Sequence, residues 1–212
     1  MLCTIYFIQA NLQHSIPASG ILTRTVCVKG IYMALVHEPW YREDCIRGLN
    51  IPGYALYSAR GKERHRACIL ARNMNACVLP EFSCRDLVAI LLKYIEDGAE
   101  RRLAVCSAYL PYDSEDPPRS REMEELMRYY ENENPRLIVG STPMHIILRV
   151  VAPTAMVRGG GSLPDFLNSS NLEILNRGND STFCNVSRQE VIDITVGSYG
   201  LLESITCWEV YR

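Results

Sequence analysis

No Cys-x-x-Cys pair occurs in the chain, although nine cysteines do, which argues against zinc ribbons and thioredoxin-like redox sites. The nine are scattered and odd in number, and several lie in apolar runs such as "RACIL" and "LAVCSAYL", where cysteine packs as a small core residue. A reducing, intracellular setting is the expectation. Charge of either sign is not in excess: 22 basic against 24 acidic residues leave a formal net charge of −2, so nucleic-acid binding cannot be argued from overall charge. A local basic cluster, Arg60, Lys62, Arg64, His65 and Arg66, reads as a solvated loop. No apolar run reaches membrane-spanning length. The opening "MLCTIYFIQANLQHS" lacks a basic leader and turns polar from Gln9, so it reads as a first strand rather than a signal peptide. Repeats and low-complexity tracts are absent too, and nothing marks a domain boundary, so the 212 residues are expected to form one domain with a sizeable core.

What is present is a succession of short runs rich in β-formers and bounded by turn residues. They cover residues 3–10, 31–37, 55–58, 67–71 and 76–79. "DLVAILLKYIEDGAERRLAVCSAYLP" reads as two strands joined at "EDGAERR". "REMEELMRYYENEN" has helical composition, with Ser120 in N-cap position. The strand 137–139 follows. "LPDFLNSSNLEILN" reads as a helix that breaks into a strand, and "STFCN", "EVIDITVGS" and "SITCWEV" are three further strands. Many strands with few helices suggest an α/β sandwich of two sheets flanked by helices.

Four polar residues stand where strands end. Asn11 closes the first, Glu38 the second with Pro39 behind it, Tyr109 precedes a proline, and Asp193 interrupts "VIDIT". Each has an ordinary reading: a solvated carboxylate, a turn cap, a core aromatic. Asp193 fits its ordinary reading least, because an acid inside an apolar strand must pair or face a cleft. Together they fit hydrolysis of a phosphodiester. A magnesium ion wants one or two carboxylates plus water and substrate phosphate, and Asn and Tyr are uncharged donors suited to phosphate oxygens.

"QANLQHS", "ALVHEPW", "GLNIPGYALYS", "RACILARN", "CSAYLPYDSEDPP" and "STFCNVSRQEVIDITVGS" resemble the endonuclease domain of arthropod non-LTR retrotransposons. That domain belongs to the endonuclease/exonuclease/phosphatase superfamily, with the apurinic endonucleases as relatives. The resemblance covers nearly the whole chain. It implies a four-layered α/β sandwich, here incomplete at the C-terminus, and Mg²⁺-dependent (or Mn²⁺-dependent) nicking of target DNA, which primes reverse transcription by a fused reverse transcriptase. A nuclear location is expected with it. By position, Asn11 would orient phosphate or metal ligands, Glu38 would hold the metal, Tyr109 would contact phosphate, and Asp193 would help set the site. A metal-dependent phosphatase of the same superfamily is the alternative activity.

Two departures set this chain apart. After its "L-I-V-G" strand the family carries Asp-Ser-Asn-Ala-His-His, where this chain has Ser141 to His145; and the family's closing Ser-Asp-His segment is not reached before Arg212. Codons read from the third base of Ser141 can spell the missing segment. Met144 and His145 then force its alanine, and Met156 with Val157 forces a later glycine. The family's tryptophan cannot be recovered at Val150. The stretch 141–163 is therefore read as out-of-frame, and this copy as a catalytically dead relic that at most binds DNA or a partner protein.

Overall fold

The computed structural model describes residues 6–61, 63–72, 75–96, 98–110, 120–133, 135–142, 171–177, 181–184, 187, 189–199 and 201. The chain falls into two compact units, Met1–Tyr109 and Leu110–Arg212.

The first unit opens with a strand–helix–strand turn: β1 (Phe7–Asn11), α1 (Ile16–Lys29) and β2 (Met33–His37). β1 and β2 pair in parallel, with Asn11 opposite His37. Parallel neighbours need a long crossover, and α1 supplies it. The sequence reading passed over this helix although its punctuation is complete. The Ser15 hydroxyl accepts from the Ala18 N–H at 3.3 Å. Pro17 sits in the first turn, and Gly30 closes the helix in the left-handed region with φ of 62°. β-Branched Thr23, Thr25, Val26 and Val28 hide it, as do the exposed Ile16, Ile21 and Val28, which blur any apolar stripe. Leu22 and Val26 are buried. Each such burial is worth about 1.5–3 kcal/mol, more than the few tenths that separate helix propensities.

β2 continues into a four-stranded sheet of order β1-β2-β6-β5, where β5 is Tyr54–Tyr57 and β6 is Ala67–Arg72. All five residues of β2 are buried, so both of its faces are covered. Ala34 and Val36 join Leu22, Val26 and Leu70 in one core. Met33 and Leu35 join Ile69, Val88, Ile90 and Val105 in the other. The second core lies against the antiparallel strands β7 (Ala76–Val78), β8 (Leu87–Glu96) and β9 (Ala99–Tyr109). β8 and β9 form the hairpin expected at "EDGAERR", with Glu96 opposite Ala99. A short ribbon of β3 (Tyr41–Arg42) and β4 (Cys45–Ile46) lies between β2 and β5 in sequence, unforeseen from composition. The strand ends foreseen for β5, β6 and β7 move by one residue.

The second unit contains α2 (Arg121–Glu133), whose Met123, Leu126, Met127 and Tyr130 are buried at helical spacing. The Ser120 hydroxyl accepts from the Met123 N–H at 3.2 Å, as the N-cap reading requires. β10 (Arg136–Thr142), β11 (Leu172–Ile174) and β14 (Ile194–Ser198) form antiparallel pairs with β14 in the middle, and β12 (Phe183–Cys184) pairs with β13 (Gln189–Glu190). At Gly197 an added Cβ would come within 2.7 Å of the Leu175 side chain, which would have to shift to admit it. Two expectations change. "EVIDIT" is not one strand, because residues 191–193 separate β13 from β14. β10 runs two residues past the glycine: Ser141 is paired with Ile194, and both Ser141 and Thr142 are buried. The remainder of the stretch read as out-of-frame, the helix expected near 163–170 and the strand in "SITCWEV" lie outside the described residues.

Candidate functional site

β1 and β2 end side by side because they are parallel, and the chain leaving β1 folds back onto the end of β2. The Leu12 N–H donates to the His37 carbonyl at 2.9 Å and the His14 N–H to the Glu38 carbonyl at 2.8 Å. The Asn11 side-chain oxygen accepts from the Gln13 N–H at 2.9 Å, closing a local turn. Asn11 is thus a turn former, with its side chain at the end of β1. Gln13, His14 and Glu38 have φ of 48°, 56° and 46°, in the left-handed region that non-glycine residues rarely adopt. Glu38 is the more unusual for preceding Pro39. Strain of this kind persists where neighbours over-determine the backbone, and here they do. The Glu38 N–H donates to the Arg66 carbonyl at 2.8 Å, one step beyond the β2–β6 ladder.

Tyr109 reaches the same end from β9. Its N–H donates to the Asp86 carbonyl at 2.7 Å, and the Arg66 N–H donates to the Arg85 carbonyl at 2.7 Å. Both sheets of this unit are therefore tied together where β2, β6, β8 and β9 begin or end. Burial and then the adjacent Glu38 carboxylate push the Tyr109 phenol above its ordinary pKa, with Arg66 pulling the other way. The phenol remains a proton donor throughout the neutral range. His14 holds its Nδ1 3.0 Å from the Pro39 carbonyl and places Nε2 3.8 Å from Glu38 Oε1.

Sequence reasoning missed the ion pair beneath this group. Arg66 donates from Nε and one terminal nitrogen to the two Asp86 oxygens at 2.5 and 2.6 Å. Burial alone would raise the Asp86 carboxyl, but hydrogen bonds from Arg66 and Arg85 outweigh it and hold the carboxyl below its ordinary range. The Arg66 guanidinium carbon lies 4.4 Å from the centre of the Tyr109 ring. The solvated-loop reading of the basic cluster is corrected accordingly. Arg60 and Arg64 are exposed, but His65 is buried and Arg66 is partly buried and paired. The signal that found Glu38 singles out each residue, since Arg66 and Asp86 both stand immediately before an apolar strand, but it does not give their pairing.

The structure thus brings Asn11, Glu38 and Tyr109 to one end of the first unit. Asp193 stands in the second unit, just before β14 rather than within a strand. Its N–H and that of Ile192 both donate to the Thr182 hydroxyl at 3.0 Å, and its carbonyl accepts from Asn176 Nδ2 at 3.0 Å. Its Oδ1 is buried and takes no hydrogen bond among the described residues. Burial pushes the carboxyl above its ordinary value, offset in part by the nearby Thr142 and Thr182 hydroxyls.

As for a metal, no three His, Cys, Asp or Glu side chains converge on a common point among the described residues. Glu38 offers a hard carboxylate donor that the Tyr109 hydroxyl also engages, and among the described residues its ion-pair partner is His14 at 3.8 Å. That suits Mg²⁺, which is held through one or two carboxylates and otherwise by water and substrate phosphate. Asp86, already gripped by two arginines, is not such a donor. No described helix is long and apolar enough to cross a membrane.

No family model and no curated protein matches the chain. Solved structures do. The endonuclease domain of TRAS1, a telomere-specific non-LTR retrotransposon, is similar with a TM-score of 0.68 and 20% identity, over 95% of this chain and 89% of that one. A humanized D. rerio TDP2 superposes with a TM-score of 0.57 at 8% identity, over 92% of this chain and 83% of that one. A mannosyl-6-phosphatase of Bacteroides thetaiotaomicron does so with a TM-score of 0.56 at 10% identity, over 93% and 86% of the two chains. The fold is therefore the α/β sandwich shared by the endonuclease/exonuclease/phosphatase proteins.

Proposed function

We propose that the chain is the DNA-endonuclease type of this fold, built for metal-dependent phosphodiester hydrolysis but lacking its water-activating half. The observation that carries the first part is the meeting of Asn11, Glu38 and Tyr109 at one end of the first unit. Glu38 would hold Mg²⁺, or Mn²⁺, which when bound neutralises charge on the phosphate and leaving oxygen. The Tyr109 phenol donates to a phosphate oxygen, and the Asn11 amide, once released from Gln13, orients the same group. DNA is the substrate class favoured by the resemblance to retrotransposon endonucleases and by the TRAS1 neighbour. One domain spanning 1–212, once fused to a reverse transcriptase and acting in the nucleus, completes this reading.

The second part rests on the end of β10. There the resemblance expects Asp-Ser-Asn, and the chain has Ser141, Thr142 and Pro143 in turn, none of which can act as a base; Ser141 and Thr142 are both buried. The Ser141 hydroxyl donates to the Ile194 carbonyl at 3.3 Å, a structural use.

Supercoiled plasmid with Mg²⁺ is the test. The purified chain is expected to leave it intact, as Glu38→Ala does. Nicking that is lost in Glu38→Ala would establish the endonuclease and overturn the loss of activity. Hydrolysis of a soluble phosphate ester with no action on DNA would instead favour the phosphatase alternative, to which the mannosyl-6-phosphatase fold is the structural precedent.

A further inference from the structure

We infer that Arg66 is a positioning residue that sets the Tyr109 phenol for its phosphate, by stacking its guanidinium on the ring while Asp86 holds the guanidinium in place. The inference rests on the reading of Tyr109 as the phosphate contact, and on geometry contained within the first unit.

A tyrosine at the end of a strand is free at two torsions unless something fixes its ring. Here its own N–H is anchored on the Asp86 carbonyl at 2.7 Å, and the ring is met by Arg66 at 4.4 Å. Arginine suits this position in a way lysine does not. Its planar fork satisfies both Asp86 oxygens, at 2.5 and 2.6 Å, while its face remains available to the aromatic ring. The pair is shielded, with side chains about a fifth exposed at 21% and 23%, so its geometry is held rather than averaged by solvent. The same residue fixes the other side of the site, because its carbonyl accepts the Glu38 N–H at 2.8 Å. Arg66 thereby couples a carboxylate on one sheet to a phenol on the other.

Charge adds to position. Burial and Glu38 both disfavour loss of the phenolic proton, and the stacked cation opposes them. A guanidinium over the ring polarises the O–H and strengthens it as a donor to an anionic oxygen. Arg85 lies on the same carboxylate at 3.2 Å but is 47% exposed, and serves as a second, weaker anchor for Asp86.

The test follows the Tyr109 ring directly. The full chain is prepared with tyrosine isotope-labelled at Cζ, and the Tyr109 resonance is assigned as the one missing from Tyr109→Phe. Arg66→Met is expected to shift and sharpen that resonance while those of Tyr54 and Tyr57, in the same unit, stay in place. Arg66→Lys restores the charge without the fork and is expected to recover only part of the shift. If Arg66→Met does not fold, Asp86→Asn keeps the volume and loosens the guanidinium, and the same resonance is expected to move. A Tyr109 resonance unchanged in folded Arg66→Met, or in Asp86→Asn where that variant must stand in, would overturn the assignment. Movement of all three tyrosine signals together would reduce Arg66 to a general structural role and overturn it equally. Neither metal nor DNA enters this measurement, so failure of the endonuclease reading in the plasmid assay is distinguishable from failure here.

Discussion

The Ser107 hydroxyl donates to the Val36 carbonyl at 3.3 Å, joining β9 of one sheet to β2 of the other across 71 residues of sequence. Ser107 is fully buried, two residues before Tyr109, and Val36 lies two before Glu38. This single interior bond thus relates the registers of the two strands that deliver the phenol and the carboxylate. Ser107→Ala is expected to destabilise the fold by about 1 kcal/mol, the worth of a neutral buried hydrogen bond. The check is a lower denaturant midpoint with an unchanged slope.

Glu38 occupies the left-handed region at φ of 46° in front of a proline. Removing its side chain as alanine keeps that cost, whereas glycine relieves it. Glu38→Gly is therefore expected to be more stable than Glu38→Ala by about 1 kcal/mol. Denaturant unfolding of the two variants decides this, and equal midpoints would show that the backbone there is unstrained.

The Asp86 carboxyl is opposed by burial but held below its ordinary range by Arg66 and Arg85. A depressed folded pKa contributes stability that is present above the unfolded carboxylate value and is lost as pH falls through the folded value. Asp86→Asn should therefore cost stability at neutral pH, by about 1.5–3 kcal/mol for a charge-assisted pair. The deficit should narrow in acid. Midpoints measured from neutral pH down into the acid limb test both parts.

Asp193 behaves in the opposite sense, since burial raises its carboxyl. A raised folded pKa means that its favourable contribution is complete below the unfolded value and is lost as pH rises through the folded value. At neutral pH the buried carboxylate is a burden, and Asp193→Asn, which keeps the shape, is expected to raise stability there. The gain should vanish in acid, where the native carboxyl is protonated. An Asp193→Asn variant less stable than the parent at neutral pH would show that the charge is compensated.

The sequence by itself determined most strands, the β8–β9 hairpin and the helix α2 with its Ser120 cap, because period-two runs, a glycine turn and a spaced apolar stripe are local signals. It also pointed to Asn11, Glu38 and Tyr109, since polar residues at strand ends are visible without knowing which strands are neighbours. Helix α1 escaped notice because its residues do not form a clean stripe, and its place is settled by burying Leu22 and Val26 over Ala34 and Val36. Only the tertiary structure decided that Arg66 and Asp86, 20 residues apart, form an ion pair under the Tyr109 ring. That pairing depends on β6 and β8 starting together at the same end of two stacked sheets, a relation between distant segments that no local pattern encodes. For the same reason "EVIDIT" read as one strand, while the backbone around Asp193 is drawn out of the ladder by Thr182 and Asn176.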